Sequence, residues 1–332
     1  MNYPKVELHC HLDGAIPYRL FVKYCREAGF VPEGVSDEEW IAQNVMNESM
    51  SLSEGLEKFV LLTAILQTGD HLTEVTETLL DDMYNAGTRL AELRFAPQSH
   101  TQGELGMEEA VQAVLEGRRK ALEKHPDMVV GILLCMMNYG QSWGNEINNR
   151  ATIQLADKYR DQGVVGIDLA GDETATDINI YAPMFEKARE LGLKYTIHAG
   201  ESGPASNVQF AIDQKATRIG HGIHRYSDPE VVNNLVKNNV LLEISLTSNV
   251  LSSAVASIKE HPVKKLFDAG VKINLNTDDP ELFNIDLAHE YELARNVFGF
   301  TEKELIQTNL DAARASFCPD KDKIIAQLEA LL

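Results

Sequence analysis

The sequence predicts an α/β fold closed into a single (β/α)8 TIM barrel. Eight short, mostly apolar segments alternate along the chain with stretches of helical period, which favours a parallel sheet covered by helices. Polar residues that could take part in catalysis or ligand binding also follow at least five of these segments. A barrel gathers such strand ends at one mouth, whereas an open, doubly wound sheet gathers only those beside its switch point.

The predicted strands run in the order Lys5–His9, Leu90–Phe95, Met128–Met136, Val164–Leu169, Lys194–His198, Thr217–Gly220, Val240–Ser245 and Val271–Asn276. Apolar residues three and four apart predict helices between them, as in Met107–Lys124, Ile147–Arg160 and Pro229–Asn238. Residues 32–69 are extra, and we interpret them as helices inserted after the first strand–helix unit, where they could cover the mouth. No Pro/Gly/Ser-rich linker divides the chain, so we expect one domain over residues 1–332.

Charge and composition exclude several classes of partner. The 332 residues carry 50 acidic and 30 basic side chains, a formal net charge of −20, which is the wrong sign for phosphate backbones or anionic lipid. The four cysteines form no C-x-x-C pair, and the first residues contain no apolar signal region. The longest apolar run, Met128–Met137, is far shorter than a membrane span. We expect a cytoplasmic protein with no nucleic-acid partner and no membrane contact.

Ligand-type side chains gather at the predicted strand ends. His9 and His11 are two residues apart, so in an extended chain both imidazoles point to one side. Alone this pair is a weak motif, and unrelated histidines remain an alternative. His198, His221 and Asp278 follow the fifth, sixth and eighth strands. Either histidine could simply be a hydrogen-bonded residue of the barrel, and Asp278 could belong to a helix N-cap. Three of these four histidines, together with the aspartate at the same mouth, nevertheless predict a mononuclear divalent metal site.

The chain resembles the adenosine deaminase family within the metal-dependent amidohydrolases. The segments that carry the resemblance occur in the family's order and are Val6–Ala15, Asp168–Glu173, His198–Glu201, Gly220–His224 and Leu275–Pro280. Each motif alone is modest evidence for the family. Five motifs in order, spread from residue 6 to residue 280, make the resemblance strong and extend it over essentially the whole chain.

The resemblance implies a catalytic site. It implies one Zn²⁺ per chain, with the ligands His9, His11, His198 and Asp278. It also implies zinc-dependent hydrolysis of adenosine or 2′-deoxyadenosine to inosine or 2′-deoxyinosine and ammonia, a reaction of purine metabolism. Glu201 would protonate the ring nitrogen beside the reacting carbon, and His221 would orient the water or accept its proton. Without the resemblance, Glu201 could also be a surface carboxylate or a first-turn helix residue next to Pro204.

The resemblance also implies how a purine nucleoside binds. Asp279 and the backbone N–H of Gly171 would hold two other ring nitrogens, although Gly171 could simply serve a turn. Asp13 would accept a hydrogen bond from the ribose 5′-hydroxyl, with His11 nearby, and it could also cap the following helix. Related adenine deaminases usually carry Glu at this position, and a carboxylate there repels a 5′-phosphate. Asp13 therefore favours a nucleoside as the small-molecule substrate.

Three alternatives stay open at this level. The same hydrolysis could act on free adenine or on a 5′-modified adenosine. The barrel could also bind purine nucleosides or metal without turnover, although no residue of the expected site is lost. In the inserted segment, five residues with helical spacing could pack on the barrel or form an apolar lid over the purine. They are Leu52, Leu56, Phe59, Val60 and Thr63.

Overall fold

A computed structural model of the chain describes residues 3–46, 52–140, 142–223 and 228–332. The strands in these ranges are β1 Lys5–His11, β2 Thr88–Phe95, β3 Val129–Asn138, β4 Val164–Gly171, β5 His198–Ala199, β6 Arg218–His221, β7 Leu241–Ile244 and β8 Lys272–Leu275. All neighbouring strands pair in parallel, β1 to β4 in one sheet and β5 to β8 in a second. Single bridges join the sheets, Cys10 to Asp278 on one side and Ile167 to Tyr195 on the other. The predicted barrel is confirmed.

The fifth strand differs most from its prediction. The sequence predicts Lys194–His198, whereas the regular strand is only His198–Ala199. The N–H of Ile167 donates to Lys194 O at 3.0 Å, and the N–H of Thr196 donates to Ile167 O at 3.1 Å. These two bonds form one isolated bridge to β4 and no continuing ladder. Apolar alternation alone therefore overestimates the length of the strand.

Helices surround the barrel. They are α1 Tyr18–Glu27, α2 Asp37–Asn44, α3 Leu52–Ala64, α4 Gly69–Asn85, α5 Met107–Lys124, α6 Trp143–Lys158, α7 Ala182–Glu190, α8 Ala205–Asp213, α9 Pro229–Lys237, α10 Leu246–Leu251, α11 Val263–Asp268, α12 Leu287–Asn296, α13 Glu302–Ala315 and α14 Asp322–Glu329. Two of them, α2 and α3, lie in the segment predicted as inserted. A capping box between Ser36 and Glu39 starts α2. Within the described ranges, none of the helices combines the length and apolar character needed to cross a membrane.

Charged side chains occupy part of the barrel interior. Arg94 lies 2.8 Å from Asp168 and 2.7 Å from Glu243, and all three are fully buried. Arg218 lies 2.7 Å from Glu243 and 2.6 Å from Glu92. Buried charges are costly unless they are paired and hydrogen-bonded. Here each charge has an opposite partner, and the network places two carboxylates directly behind the barrel mouth.

Candidate active site

Four of the predicted site residues meet at the carboxyl ends of the strands. His9 Nε2 lies 3.1 Å from Asp278 Oδ1, and His11 Nε2 lies 3.3 Å from the same oxygen. His11 Nε2 also lies 3.3 Å from His198 Nε2. One ligand atom from each of the four residues lies within 4.8 Å of the others. We refer to His9, His11, His198 and Asp278 as the metal cluster.

Hydrogen bonds behind the metal cluster show that it fits a divalent cation. His9 Nδ1 lies 3.0 Å from Glu243 Oε2, and His198 Nδ1 lies 2.9 Å from Asp168 Oδ2. A carboxylate only accepts, so each Nδ1 carries the hydrogen and each Nε2 presents a lone pair. His9 is fully buried, and its Nε2 faces Asp278 Oδ1 at 3.1 Å. Lone pairs that converge beside a carboxylate, with carboxylates behind the rings, are typical of a histidine metal site.

Two site residues have a backbone conformation that side chains other than glycine rarely adopt. His221 has φ = 62° and Asp278 has φ = 67°, both in the left-handed region. The strand edge holds Asp278 in place, because its N–H donates to His9 O at 2.9 Å and its carbonyl accepts from His11 N at 2.8 Å. Ser248 Oγ donates to Asp278 Oδ2 at 2.6 Å. Such strain costs about 1–3 kcal/mol per residue and is concentrated at functional sites.

The Glu201 carboxylate lies next to the metal cluster. Its Oε2 is 3.5 Å from His221 Nε2. The buried Glu173 carboxylate holds the loop by accepting the N–H of Gly200 at 2.8 Å and that of Glu201 at 2.7 Å. Burial, together with the charges of Asp278 and Glu173, raises the pKa of Glu201 to about 7. Glu201 therefore sits where a carboxyl group can exchange a proton near neutral pH.

A chain of hydrogen bonds determines which nitrogen of His221 carries its hydrogen. It starts at the N–H of Val263, which donates to His261 Nδ1 at 3.1 Å. His261 Nε2 therefore donates to Asn249 Oδ1 at 3.1 Å, which in turn aims Asn249 Nδ2 at His221 Nδ1, 3.0 Å away. Burial lowers the pKa of His261 to about 3 and that of His221 to about 4, so both rings are neutral at pH 7. The hydrogen of His221 is consequently on Nε2, facing Glu201.

A cavity of about 500 Å³ opens above the metal cluster, and the remaining predicted residues line it. Asp13 is buried, and its Oδ2 lies 3.6 Å from His100 Nε2. Asp279 lies against Gly14, where an added Cβ would come within 1.8 Å of Asp279 Oδ1, so only glycine fits. Burial and the charges of neighbouring carboxylates raise the pKa of Asp279 well above its usual range. Gly171 ends β4 with φ = 101°.

The chain matches a family model described as adenosine deaminase over residues 4–329. It is 34% identical to the adenosine deaminase of Clostridium acetobutylicum over 326 residues, which are 98% of this chain and 96% of that protein. The chain belongs to the adenosine deaminase family. Similar solved structures include the adenine deaminase of Arthrobacter aurescens (TM-score 0.87, 25% identity, 99% of both chains) and the N6-mAMP deaminase of Arabidopsis (TM-score 0.87, 27% identity, 99% of this chain and 98% of that one).

This member of the adenosine deaminase family is therefore a deaminating hydrolase, and its inserted helix α3 borders the cavity. Phe59, Val60 and Thr63 line the cavity wall, and the Val60 side chain is 63% exposed. The side chains of Leu52 and Leu56 lie outside the described residues. An exposed apolar side chain beside a cavity agrees both with packing on the barrel and with a lid over the purine, so the lid remains a prediction.

Several residues of this family member's site were not assigned to it from sequence. Asp168 and Glu243 orient two histidines, Glu173 holds the Glu201 loop, and Asn249 with His261 orients His221. A single carboxylate inside an apolar strand is a signal that could have identified the first two, because such a charge needs a buried partner. No comparable signal marks Asn249 or His261.

Proposed function

We propose that this chain catalyses the hydrolytic deamination of adenosine and 2′-deoxyadenosine, with one Zn²⁺ per chain held by the metal cluster. The observation that carries the proposal is the convergence of four ligand atoms beside Glu201 and His221 at the floor of one cavity. Bound there, Zn²⁺ would lower the pKa of a water molecule toward ~7 and so make hydroxide available at neutral pH.

The residues around the metal cluster have separable roles in the proposal. Glu201 donates a proton to the purine nitrogen next to the carbon that carries the amino group, which makes that carbon more electrophilic. His221 orients the attacking water through its Nε2–H. Asp279 and the N–H of Gly171 hold two further ring nitrogens.

The cavity favours a nucleoside over a nucleotide. Among the described residues that line it, there is no lysine or arginine to pair with a 5′-phosphate. Asp13 instead presents a buried carboxylate whose Oδ1 has no hydrogen-bond partner in the described part of the chain. This oxygen can accept the ribose 5′-hydroxyl, with His11 nearby, whereas a phosphate would meet a like charge.

The test is release of ammonia from adenosine, 2′-deoxyadenosine, adenine and AMP, and of methylamine from N6-methyl-AMP, by the purified holoenzyme. We expect turnover of the two nucleosides, its loss on chelation and its return with Zn²⁺. Asp278→Asn removes one ligand and should lower zinc content and activity together. Turnover of adenine alone or of a nucleotide alone would overturn the proposed nucleoside substrate. Activity that survives complete metal removal would overturn the proposed role of Zn²⁺.

A further inference from the structure

Basic side chains converge on a second cavity, of about 590 Å³. Seventeen residues line it, of which six are basic and only Asp311 is acidic. The basic residues are Arg189, Lys194, Lys215, Lys272, Arg314 and Lys321. They are one fifth of the 30 lysines and arginines in a chain with a net charge of −20. Such a concentration against the overall charge indicates a specific anion site rather than a general surface property.

This basic cavity lies at the end of the barrel away from the metal cluster. Leu241 and Lys272, which begin β7 and β8, line it, as does Thr217, which precedes β6. Strands rise by about 3.3 Å per residue, so the six residues from Lys272 to Asp278 separate the two ends by about 20 Å. The two cavities are distinct, and the reaction described above makes no use of the second.

Several of its cations form no salt bridge in the described part of the chain, although Asp311 lies near Lys272, and Arg314 pairs with Glu329 at 2.7 Å. Among the described residues, Lys194, Lys215 and Lys272 form no salt bridge. Burial, with the nearby charges of Lys194 and Arg218, lowers the pKa of Lys321. Clustered like charges repel one another, and a bound anion would relieve that repulsion.

Two of the cations are held in place by neutral groups. Arg189 Nη1 donates to Gln214 O at 2.9 Å and to Gln214 Oε1 at 3.2 Å. Lys321 Nζ donates to Ser316 O at 2.6 Å and to Arg314 O at 2.7 Å. Neutral acceptors fix the positions of these side chains without cancelling their charge. The cavity therefore has partly ordered donors before any ligand arrives, which reduces the entropy lost on binding.

We propose that the basic cavity binds a small phosphate-bearing anion, either inorganic phosphate or a phosphomonoester. Lysine and arginine are the side chains that bind phosphate oxygens, through charge-assisted hydrogen bonds. The volume suits a small molecule, and the acidic remainder of the chain opposes a nucleic acid, whose phosphates extend beyond any single cavity.

The test is calorimetric titration of the holoenzyme with inorganic phosphate and, separately, with ribose 5-phosphate at constant ionic strength. We expect saturable binding. Tighter binding of inorganic phosphate would identify a site for the free ion, and tighter binding of ribose 5-phosphate would identify a phosphomonoester site. The double variant Lys194→Gln/Lys272→Gln should bind about 100-fold more weakly, since each charge-assisted contact is worth about tenfold. The matched variant Lys120→Gln/Lys259→Gln changes two lysines outside the cavity and should bind like the wild type.

Thermal unfolding gives a second readout in case the cavity variant folds poorly. Without phosphate, removing two clustered charges should leave its Tm unchanged or raise it, and added phosphate should raise Tm only in the wild type and the matched variant. Absence of saturable binding, or equal binding by the cavity variant, would overturn the proposal, since in the second case the anion is held elsewhere.

Discussion

Replacing Asn249 with aspartate is expected to reverse the hydrogen-bonding direction of His221. In the native chain, the Asn249 amide donates to His221 Nδ1 at 3.0 Å, so that Nε2 carries the hydrogen. A carboxylate cannot donate, and a neutral His221 would have to place its hydrogen on Nδ1. Its Nε2 would then present a lone pair toward Glu201, 3.5 Å away, and could no longer make the donation to water that we propose for it.

The distances allow an estimate of how strongly the native orientation is preferred. Turning the Asn249 amide over would break its hydrogen bonds to His221 at 3.0 Å and to His261 at 3.1 Å. At about 1 kcal/mol each, the two bonds give about 2 kcal/mol, or a preference of about 30-fold. Removing one well-placed donor from developing negative charge typically costs about 10²–10³ in kcat. We therefore expect kcat of Asn249→Asp to fall about 100-fold or more.

The assay combines turnover with a ¹⁵N spectrum of the histidine rings in the holoenzyme. The wild type should show a protonated, pyrrole-like Nε2 and a pyridine-like Nδ1 for His221, and Asn249→Asp should exchange them. Asn309→Asp is the matched control, because Asn309 is equally buried but hydrogen-bonds Val6 and Tyr291 away from the site. This control should lower Tm while kcat and the His221 signals stay unchanged. A native His221 with its hydrogen on Nδ1, or equal kcat for the two variants, would refute the reasoning.

Four further outcomes are expected. Asp168→Asn should weaken zinc affinity about 10–100-fold, measured by competition with a chromophoric chelator, and unchanged affinity would separate Asp168 from the metal cluster. Glu173→Gln should lower kcat about tenfold at unchanged zinc content, since the N–H groups at Gly200 and Glu201 lose a charged acceptor; steady-state kinetics that match the wild type would contradict this. Arg94→Met should lower the free energy of unfolding by about 3–5 kcal/mol in urea titrations, because Asp168 and Glu243 each lose a buried cationic partner, and a smaller loss would mean that their remaining partners compensate for it. Asp13→Ala should reduce kcat/KM about 10–100-fold for adenosine but little for 5′-deoxyadenosine, and an equal loss for both would argue against a contact to the 5′-hydroxyl.

The metal cluster could be predicted from sequence because strand periodicity and residue chemistry both indicate it. His9 and His11 follow from the two-residue repeat of a strand, and His198 and Asp278 from their position where strands open into loops. His221 has the same kind of position, and only the resemblance to the family set it apart from the ligands. The short β5 could not be delimited in the same way. Its two residues pair with β6, whereas the preceding residues, predicted as part of the strand, make only one bridge to β4. The sequence does not reveal such register between segments joined by a long crossover.

A carboxylate inside an apolar strand could have marked Asp168 and Glu243, but the histidine that each one orients could not be assigned from sequence, because the pairs meet only through tertiary contacts. His9 and Glu243 are 234 residues apart, and their contact depends on closure of the whole barrel. Asn249 and His261 are closer in sequence, yet their roles depend on which amide oxygen faces which ring. That direction becomes readable once the N–H of Val263 is seen to donate to His261, because a backbone N–H can only donate.

The hydrogen bonds behind the metal cluster explain why the barrel interior is charged. Barrel interiors usually hold layers of branched apolar side chains, and a buried ion network contributes little to stability by itself. Here Arg94 bridges Asp168 and Glu243, and these carboxylates fix the hydrogens of His198 and His9 on Nδ1. Arg94 thus contacts both acceptors, while Arg218 also pairs with Glu243, and these cations favour the ionised carboxylates, so that two Nε2 lone pairs face the mouth together. We therefore expect the network to act chiefly by orienting the predicted metal ligands, and its loss should be detected in metal affinity as well as in stability.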